Sequence, residues 1–323
     1  MRMFPRFLLT STIIATAMVA AAPAAAQYPT KPLRMVVPFP AGGATDTIAR
    51  VIAAPLSQAL GQQVIVDNKP GADGAIAGDA VAKAAPDGYT IFLATSSALS
   101  AVPAMRKQPP YDPVTAFTPI TKIGTYSYFL FAHPSVPGRN VGELIEYIRA
   151  NPGKVNYAGA TTAGVMAAVE LSGFAKLDMV RIPYKGEGPA TLDLVSGRVQ
   201  LMFATPTNAL PAAKEGRLKV LAALMPKRSP LSPDTPTMVE AGAPNLSIVP
   251  WGGFVGPAGM PPEIVARLNR EITAILARPE VREQLERQAI EVQSSTPAEL
   301  GAHVKAQLEM WRKAVRDSGL AVE

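Results

Sequence analysis

The chain has 323 residues, with 31 Lys and Arg against 25 Asp and Glu for a formal charge of +6, two histidines and no cysteine. The lack of cysteine excludes a disulfide framework, a thiol nucleophile, a cysteine-built metal site and lipid attachment at a cysteine. The basic residues are scattered, Lys227-Arg228 being the densest pair, with no interleaved aromatics; this argues against a nucleic-acid groove and suits the collection of small anions.

Arg2 and Arg6 flank or precede an acid-free apolar run over 7–22, and Ala24-Ala25-Ala26 supplies small residues for cleavage. This predicts a secretory signal peptide over 1–26 and a periplasmic mature chain. A membrane anchor is disfavoured because the run is alanine-rich, broken by Ser, Thr and Pro23, and followed by no second span.

From 33 to about 99, short apolar runs alternate with helical patterns. Strands are predicted at 33–37, 64–66 and 91–94, and Ile48, Val51, Ile52, Leu56 and Leu60 fall at helical spacing before a stop at Gly61. The first strand enters the first helix through Pro38-Phe39-Pro40-Ala41-Gly42-Gly43-Ala44-Thr45-Asp46. This turn has two glycines and no nucleophile, and the following helix aims unpaired N–H groups and a partial positive charge at whatever sits there. A carboxylate is the expected guest. Ala41, Gly42 and Gly43 would present backbone, Phe39 a wall, and Asp46 a helix cap or a water anchor. Thr95, Ser96 and Ser97 follow the third strand as ligand hydroxyls or plain helix caps.

A second series predicts helices at 140–150, 163–175, 189–196 and 209–215, alternating with strands at 155–158, 180–183, 201–203 and 220–224. Ala160, Thr161 and Thr162 open one of these helices. Tyr184-Lys185-Gly186-Glu187-Gly188-Pro189 mirrors the first turn, with Tyr184 offering a ring and a hydroxyl. Lys185 would either pair with a carboxylate or lie solvated beside Glu187. Two such series predict two α/β lobes on doubly wound, mostly parallel sheets, with the ligand outside the carboxyl ends of the strands.

The stretch 226–262 is rich in Pro and Gly and holds a candidate strand at 248–254. Beyond it, Ile264, Val265, Leu268, Ile272, Ile275 and Leu276 form one apolar helical face. Thr296-Pro297-Ala298-Glu299 then starts a last helix carrying Leu300, Val304, Leu308, Trp311 and Val315. These helices have no lobe of their own and are expected to cover the first. The chain would cross twice, near 128–131 and 247–250, which makes a hinge. The expected division is 27–128 with 250–323 in lobe 1 and 129–249 in lobe 2.

Enzyme signatures are missing from the sequence: no phosphate-binding G-x-x-x-x-G-K loop, no G-x-G-x-x-G after a strand, and no G-x-S-x-G elbow. No catalytic residue, metal or cofactor is expected. A rival reading is an exported hydrolase or isomerase using His133 with one of the Ser/Thr turns, which requires His133 in the cleft. Another is a receptor that feeds a membrane sensor.

The first turn, together with Asp67-Asn68-Lys69-Pro70-Gly71-Ala72, Ala85-Pro86-Asp87-Gly88-Tyr89-Thr90, Asn151-Pro152-Gly153-Lys154, Pro183-Tyr184-Lys185-Gly186 and Trp251-Gly252-Gly253-Phe254-Val255-Gly256-Pro257, resembles the TctC or Bug family of tripartite tricarboxylate transporter receptors. The resemblance implies two lobes closing on one small carboxylate, held by backbone N–H groups and ordered waters, and delivery to a membrane permease. Two departures fall where the ligand's distal end is expected. Members often have a richer Gly/Ser stretch where Ala160-Thr161-Thr162-Ala163 stands, followed by a histidine in place of Met166. Many have an acid where this chain reads Ala204-Thr205. Thr205 then offers a hydroxyl contact but no charge for a ligand amine.

Overall fold

The computed structural model describes residues 28–243 and 249–318. The signal-peptide reading for 1–26 lies outside the described residues, as do positions 247 and 248 of the expected second crossing. In chain order the elements are β1 (Leu33–Val37), α1 (Ala44–Leu60), β2 (Val64–Asn68), α2 (Ala75–Ala82), β3 (Thr90–Thr95), the one-turn α3 (Val102–Ala104), β4 (Phe117–Tyr126), β5 (Phe129–Ala132), α4 (Val141–Ala150), β6 (Asn156–Gly159), α5 (Thr162–Ala175), β7 (Val180–Pro183), α6 (Glu187–Val195), β8 (Leu201–Ala204), α7 (Pro206–Lys214), β9 (Lys219–Ala223), β10 (Trp251–Pro257), α8 (Pro262–Leu276), α9 (Pro279–Arg287), β11 (Ile290–Val292) and α10 (Pro297–Ser318).

Two sheets result, ordered β11-β4-β10-β3-β1-β2 and β7-β6-β8-β5-β9. Both are mixed. The parallel pairing expected from the sequence holds for β1 with β2 and β3, and for β6 with β7 and β8. β10 runs antiparallel to β3 and β4, and β5 antiparallel to β8 and β9. The cause lies in the crossings. β4 runs out of the first sheet and passes through Ser127 and Tyr128 into β5, which therefore enters the second sheet from the interlobe side and opposes strands running toward it. β10 enters the first sheet from the same side after the return.

The crossing strands are tied to each other. The Tyr126 N–H donates to the Pro250 carbonyl at 2.8 Å, the Leu224 N–H to the Tyr128 carbonyl at 2.8 Å, and the Ser127 N–H to the Ala289 carbonyl at 2.6 Å.

Helices cover both faces of each sheet. In the first lobe, Ile48, Ile52 and Leu56 of α1 pack with Leu268, Ile272 and Ile275 of α8 against Met35, Leu93 and Phe254. Each such burial stabilises the fold by about 1.5–3 kcal/mol. The opposite face carries Ala77 and Val81 of α2 with Leu300 and Val304 of α10. In the second lobe, α4 and α5 cover one face, while α6 and α7 cover the other. Helix α10 is shared: its later residues Leu308, Trp311 and Val315 join Tyr128, Leu130, Met166 and Phe203 in the core of the second lobe. A single helix thus bridges the two cores beside the hinge.

Candidate functional site

In the first lobe the carboxyl ends of β1 and β3 deliver the turn over 38–43 and the hydroxyls of Thr95, Ser96 and Ser97. In the second lobe the carboxyl ends of β6, β7 and β8 deliver Ala160 to Thr162, Tyr184 to Gly186, and Thr205. The lobes touch beside these groups: the Thr162 hydroxyl donates to the carboxylate of Asp73, which lies on the first lobe's loop after β2. Asp73 and its neighbour Ala72 both hold left-handed backbone, at φ 53° and 48°, a conformation that Asp tolerates better than most residues.

The first turn is held by its own side chains. The Asp46 carboxylate accepts from the Gly42 N–H at 2.9 Å, from Arg50 Nε at 3.0 Å and from the Asn68 amide at 3.0 Å, and the same Asn68 amide reaches the Phe39 carbonyl at 3.0 Å. The Arg50 guanidinium, helped by the N–H of Gly42 and the amide of Asn68, holds the Asp46 carboxyl below its ordinary range despite its burial. Asp46 reaches back from the first turn of α1 to brace the glycine turn before it. The donor role expected of Gly42 is corrected, because its N–H is engaged by Asp46, and the Gly43 N–H faces the Pro40 carbonyl at 3.4 Å. What remains for a ligand is the start of α1 itself, which follows extended Gly43 with no side-chain cap. Gly42 has φ +82°, and a Cβ placed there would meet nothing within 4 Å. Glycine is needed there for its backbone, and the space above it is open. Phe39 is partly buried, while Ala41 is exposed.

Thr95 is buried and its hydroxyl is without a partner among the described residues. Ser96 is buried too and accepts from the Trp251 N–H at 3.4 Å, so it braces β10. Ser97 opens a wide helical turn over Ser97–Ala101.

In the second lobe one open choice is decided and two expectations change. Thr161 is the cap of α5, accepting from the Gly164 N–H at 3.1 Å and pairing with the Tyr128 hydroxyl at 2.7 Å. Tyr184 turns its hydroxyl to Asp193 at 2.8 Å, within its own lobe, so that group is not presented to a ligand. Thr205 gives both its N–H, at 3.1 Å, and its hydroxyl to the carboxylate of Glu187. The acid that appears absent beside Thr205 in the sequence is therefore supplied from the turn after β7. Burial pushes the Glu187 carboxyl up to about 7, against the opposing effect of hydrogen bonds from Thr205 and Tyr128. Sequence reasoning treated Glu187 only as a neighbour of Lys185; no local pattern links it to a residue 18 positions on. Lys185 is exposed. Gly186, at φ +113°, leaves open space above α6, which also starts with no side-chain cap.

His133 lies elsewhere. It follows β5 at the end of the sheet remote from this cluster, its N–H bonded to the Gln200 carbonyl and its ring to Ser135 at 2.7 Å. The geometry demanded by the hydrolase or isomerase reading is not met. Among the described residues no group of His, Asp and Glu has metal-binding placement, and no helix is long and apolar enough to cross a membrane.

Comparison with known proteins places these features. Residues 48–320 match the model of the TctC family, described as the tripartite tricarboxylate transporter family receptor. The chain belongs to the TctC family. Among solved structures, this TctC receptor is similar to Rpa4515 of R. palustris with adipate, at 33% identity and a TM-score of 0.83 over 91% of this chain and 99% of that one. It is similar to the periplasmic binding protein BugD at 36% identity and a TM-score of 0.81, over 91% and 99%. MatC from Rhodopseudomonas palustris with bound malate gives 32% identity and a TM-score of 0.78, over 89% and 100%. The receptor thus shares with TctC and Bug proteins the two-lobed fold of periplasmic binding proteins.

Proposed function

We propose that this chain is an exported receptor, free in the periplasm, that captures a small organic acid between its lobes and delivers it to the membrane permease of a tripartite tricarboxylate transporter. In this reading it acts without catalysis, cofactor or metal. The lobes are 27–128 with 250–323, and 129–249, the shared helix α10 spanning both. The observation that carries the proposal is that α1 after Gly43 and α6 after Gly186, one in each lobe, both start with no side-chain cap beside a glycine with open space above it. Orphan N–H groups and helix dipoles at such termini favour a carboxylate. The adipate and malate held by Rpa4515 and MatC support a carboxylate as the ligand.

The ligand's first carboxylate would lie at the start of α1, beside Phe39, Ala41, Gly42 and Gly43, with Thr95 and Ser97 at its side. Its remainder would reach Ala160, Thr162, Lys185 and Gly186, with the ring of Tyr184 as a wall; Asp46, Ser96, Thr161 and Thr205 act by holding the turns. Native mass spectrometry of gently purified protein should reveal a co-purified acid, and calorimetry with that acid should give about one site per chain. Recovery of a chemically altered acid would refute the receptor reading. Uptake by cells lacking the receptor gene, restored by the gene in trans, tests the delivery step.

A further inference from the structure

Glu187 is spent in an unusual way for a first-turn acid. Such residues ordinarily sit solvated at the positive end of their helix. Here each oxygen takes one donor from Thr205, one from its N–H and one from its hydroxyl. No cation is among the groups acting on the carboxyl. The Tyr128 hydroxyl adds a third donor; an ionised carboxylate has about four acceptor sites, so about one is left over.

Its surroundings lie at the carboxyl ends of the strands: Thr205 follows β8, Thr161 follows β6 and bonds Tyr128, and Thr162 touches Asp73 of the first lobe. Glu187 itself is only partly buried and stands beside the open turn at Gly186.

In the receptor reading, an acid anchored by its carboxylate at α1 would extend its other end toward the second lobe, where Glu187 keeps a spare acceptor site and has no cation beside it. We infer that Glu187 is a specificity-determining residue of the cleft: it favours organic acids whose remote end presents a hydroxyl, amide or ammonium donor, and it disfavours a second ionised carboxylate there. A donor at that end uses the leftover acceptor site, whereas a second carboxylate meets like charge in a partly desolvated place. Discrimination of this kind works as much by repulsion of the wrong ligand as by attraction of the right one. The inference rests on the receptor reading above.

The test compares a matched pair of unbranched ligands, an ω-hydroxy acid and the dicarboxylate of equal length, at four, five and six carbons. Affinities are measured by calorimetry at pH 6 and pH 8 for the wild type and for Glu187→Gln, with circular dichroism alongside. At pH 8 the wild type is expected to prefer the hydroxy acid by about tenfold, and Glu187→Gln to shrink that ratio to about twofold or less.

The wild-type preference should narrow at pH 6, where a protonated Glu187 can donate to the second carboxylate. The other titratable or charged groups around it, Tyr128 from the hinge, Lys185 from its own turn and Asp73 from across the cleft, remain in the variant. A pH response that persists in Glu187→Gln belongs to them and overturns the assignment. An unchanged ratio in a folded variant makes Glu187 a staple between α6 and α7 and also overturns it. Should the variant not fold, a wild-type ratio that fails to widen from pH 6 to pH 8 has the same force. A wild type that binds neither member of any pair, while retaining a different co-purified molecule, instead overturns the receptor reading on which the inference stands.

Discussion

At the scale of single residues the first turn depends on two positions for different reasons. Gly42 is required by its φ of +82°, and a Cβ there would meet nothing within 4 Å, so Gly42→Ala introduces only backbone strain, about 1–2 kcal/mol, and a methyl group in the open space. The fold should survive by circular dichroism while affinity for the bound acid falls; normal binding by a folded variant would remove the turn from the site. Asp46 is required by what it holds. Asp46→Ala leaves the Gly42 N–H, the Asn68 amide and Arg50 without their shared acceptor, so three hydrogen bonds are lost at once. Its melting temperature should drop more than that of Gly42→Ala. The sequence exposes Asp46 as a first-turn acid next to glycines because two of its partners, Gly42 and Arg50, lie four positions away. It hides Glu187, Tyr184 and Thr205, whose hydrogen bonds are decided by how three separate loops stack.

At the scale of elements, the strands and helices of the two series were legible because their apolar residues repeat at helical or strand spacing between Gly, Pro and Asn stops. The crossing strands were not. β4 carries Pro119, Lys122 and Gly124 within its span, and β5 is only Phe129–Ala132, too short to separate from a connection by pattern. Strand β11 and helix α9 were missed for the same reasons of brevity and polarity. The loop after β2 was legible as glycine-rich but not as a contact, since Thr162 lies 89 positions away.

That loop gives an element-scale prediction. Asp73→Gly relieves the left-handed backbone at φ 53° but removes the acceptor for Thr162, whereas Asp73→Asn keeps both the conformational tolerance and an acceptor. If the Asp73 to Thr162 bond helps hold the lobes together, small-angle scattering of the ligand-free protein should show a larger mean radius for the Gly variant than for the Asn variant. Equal radii would reduce the bond to a passive contact.

At the scale of the whole molecule, two partly buried titratable groups lie in different regions and pull stability in opposite directions with pH. His303, on α10, packs edge-on to Trp251 with ring centroids 4.8 Å apart. Burial, with the Lys122 charge adding to it, lowers its pKa from 6.5 to about 4. The native state therefore binds fewer protons than the unfolded chain in that window, and the stability present above pH 6.5 is lost as pH falls toward 4. Glu187 behaves inversely: its pKa rises from 4.5 to about 7, so its contribution is complete below pH 4.5 and is lost as pH rises through 7. Between about pH 4.5 and 6.5 the two slopes oppose each other proton for proton, and the wild type should show a nearly flat unfolding free energy. Separating them exposes each. Glu187→Gln should lose stability on acidification from pH 6.5 toward 4, and His303→Gln should lose it on alkalinisation from pH 4.5 toward 7. Each loss is at most about 3 kcal/mol, since one pKa unit corresponds to 1.36 kcal/mol. Urea unfolding midpoints measured across this range decide the matter: variant profiles that run parallel to the wild type would show that neither group is proton-linked to folding, while a flat wild type flanked by opposite slopes would tie the cleft acid and the bridging helix to the same balance.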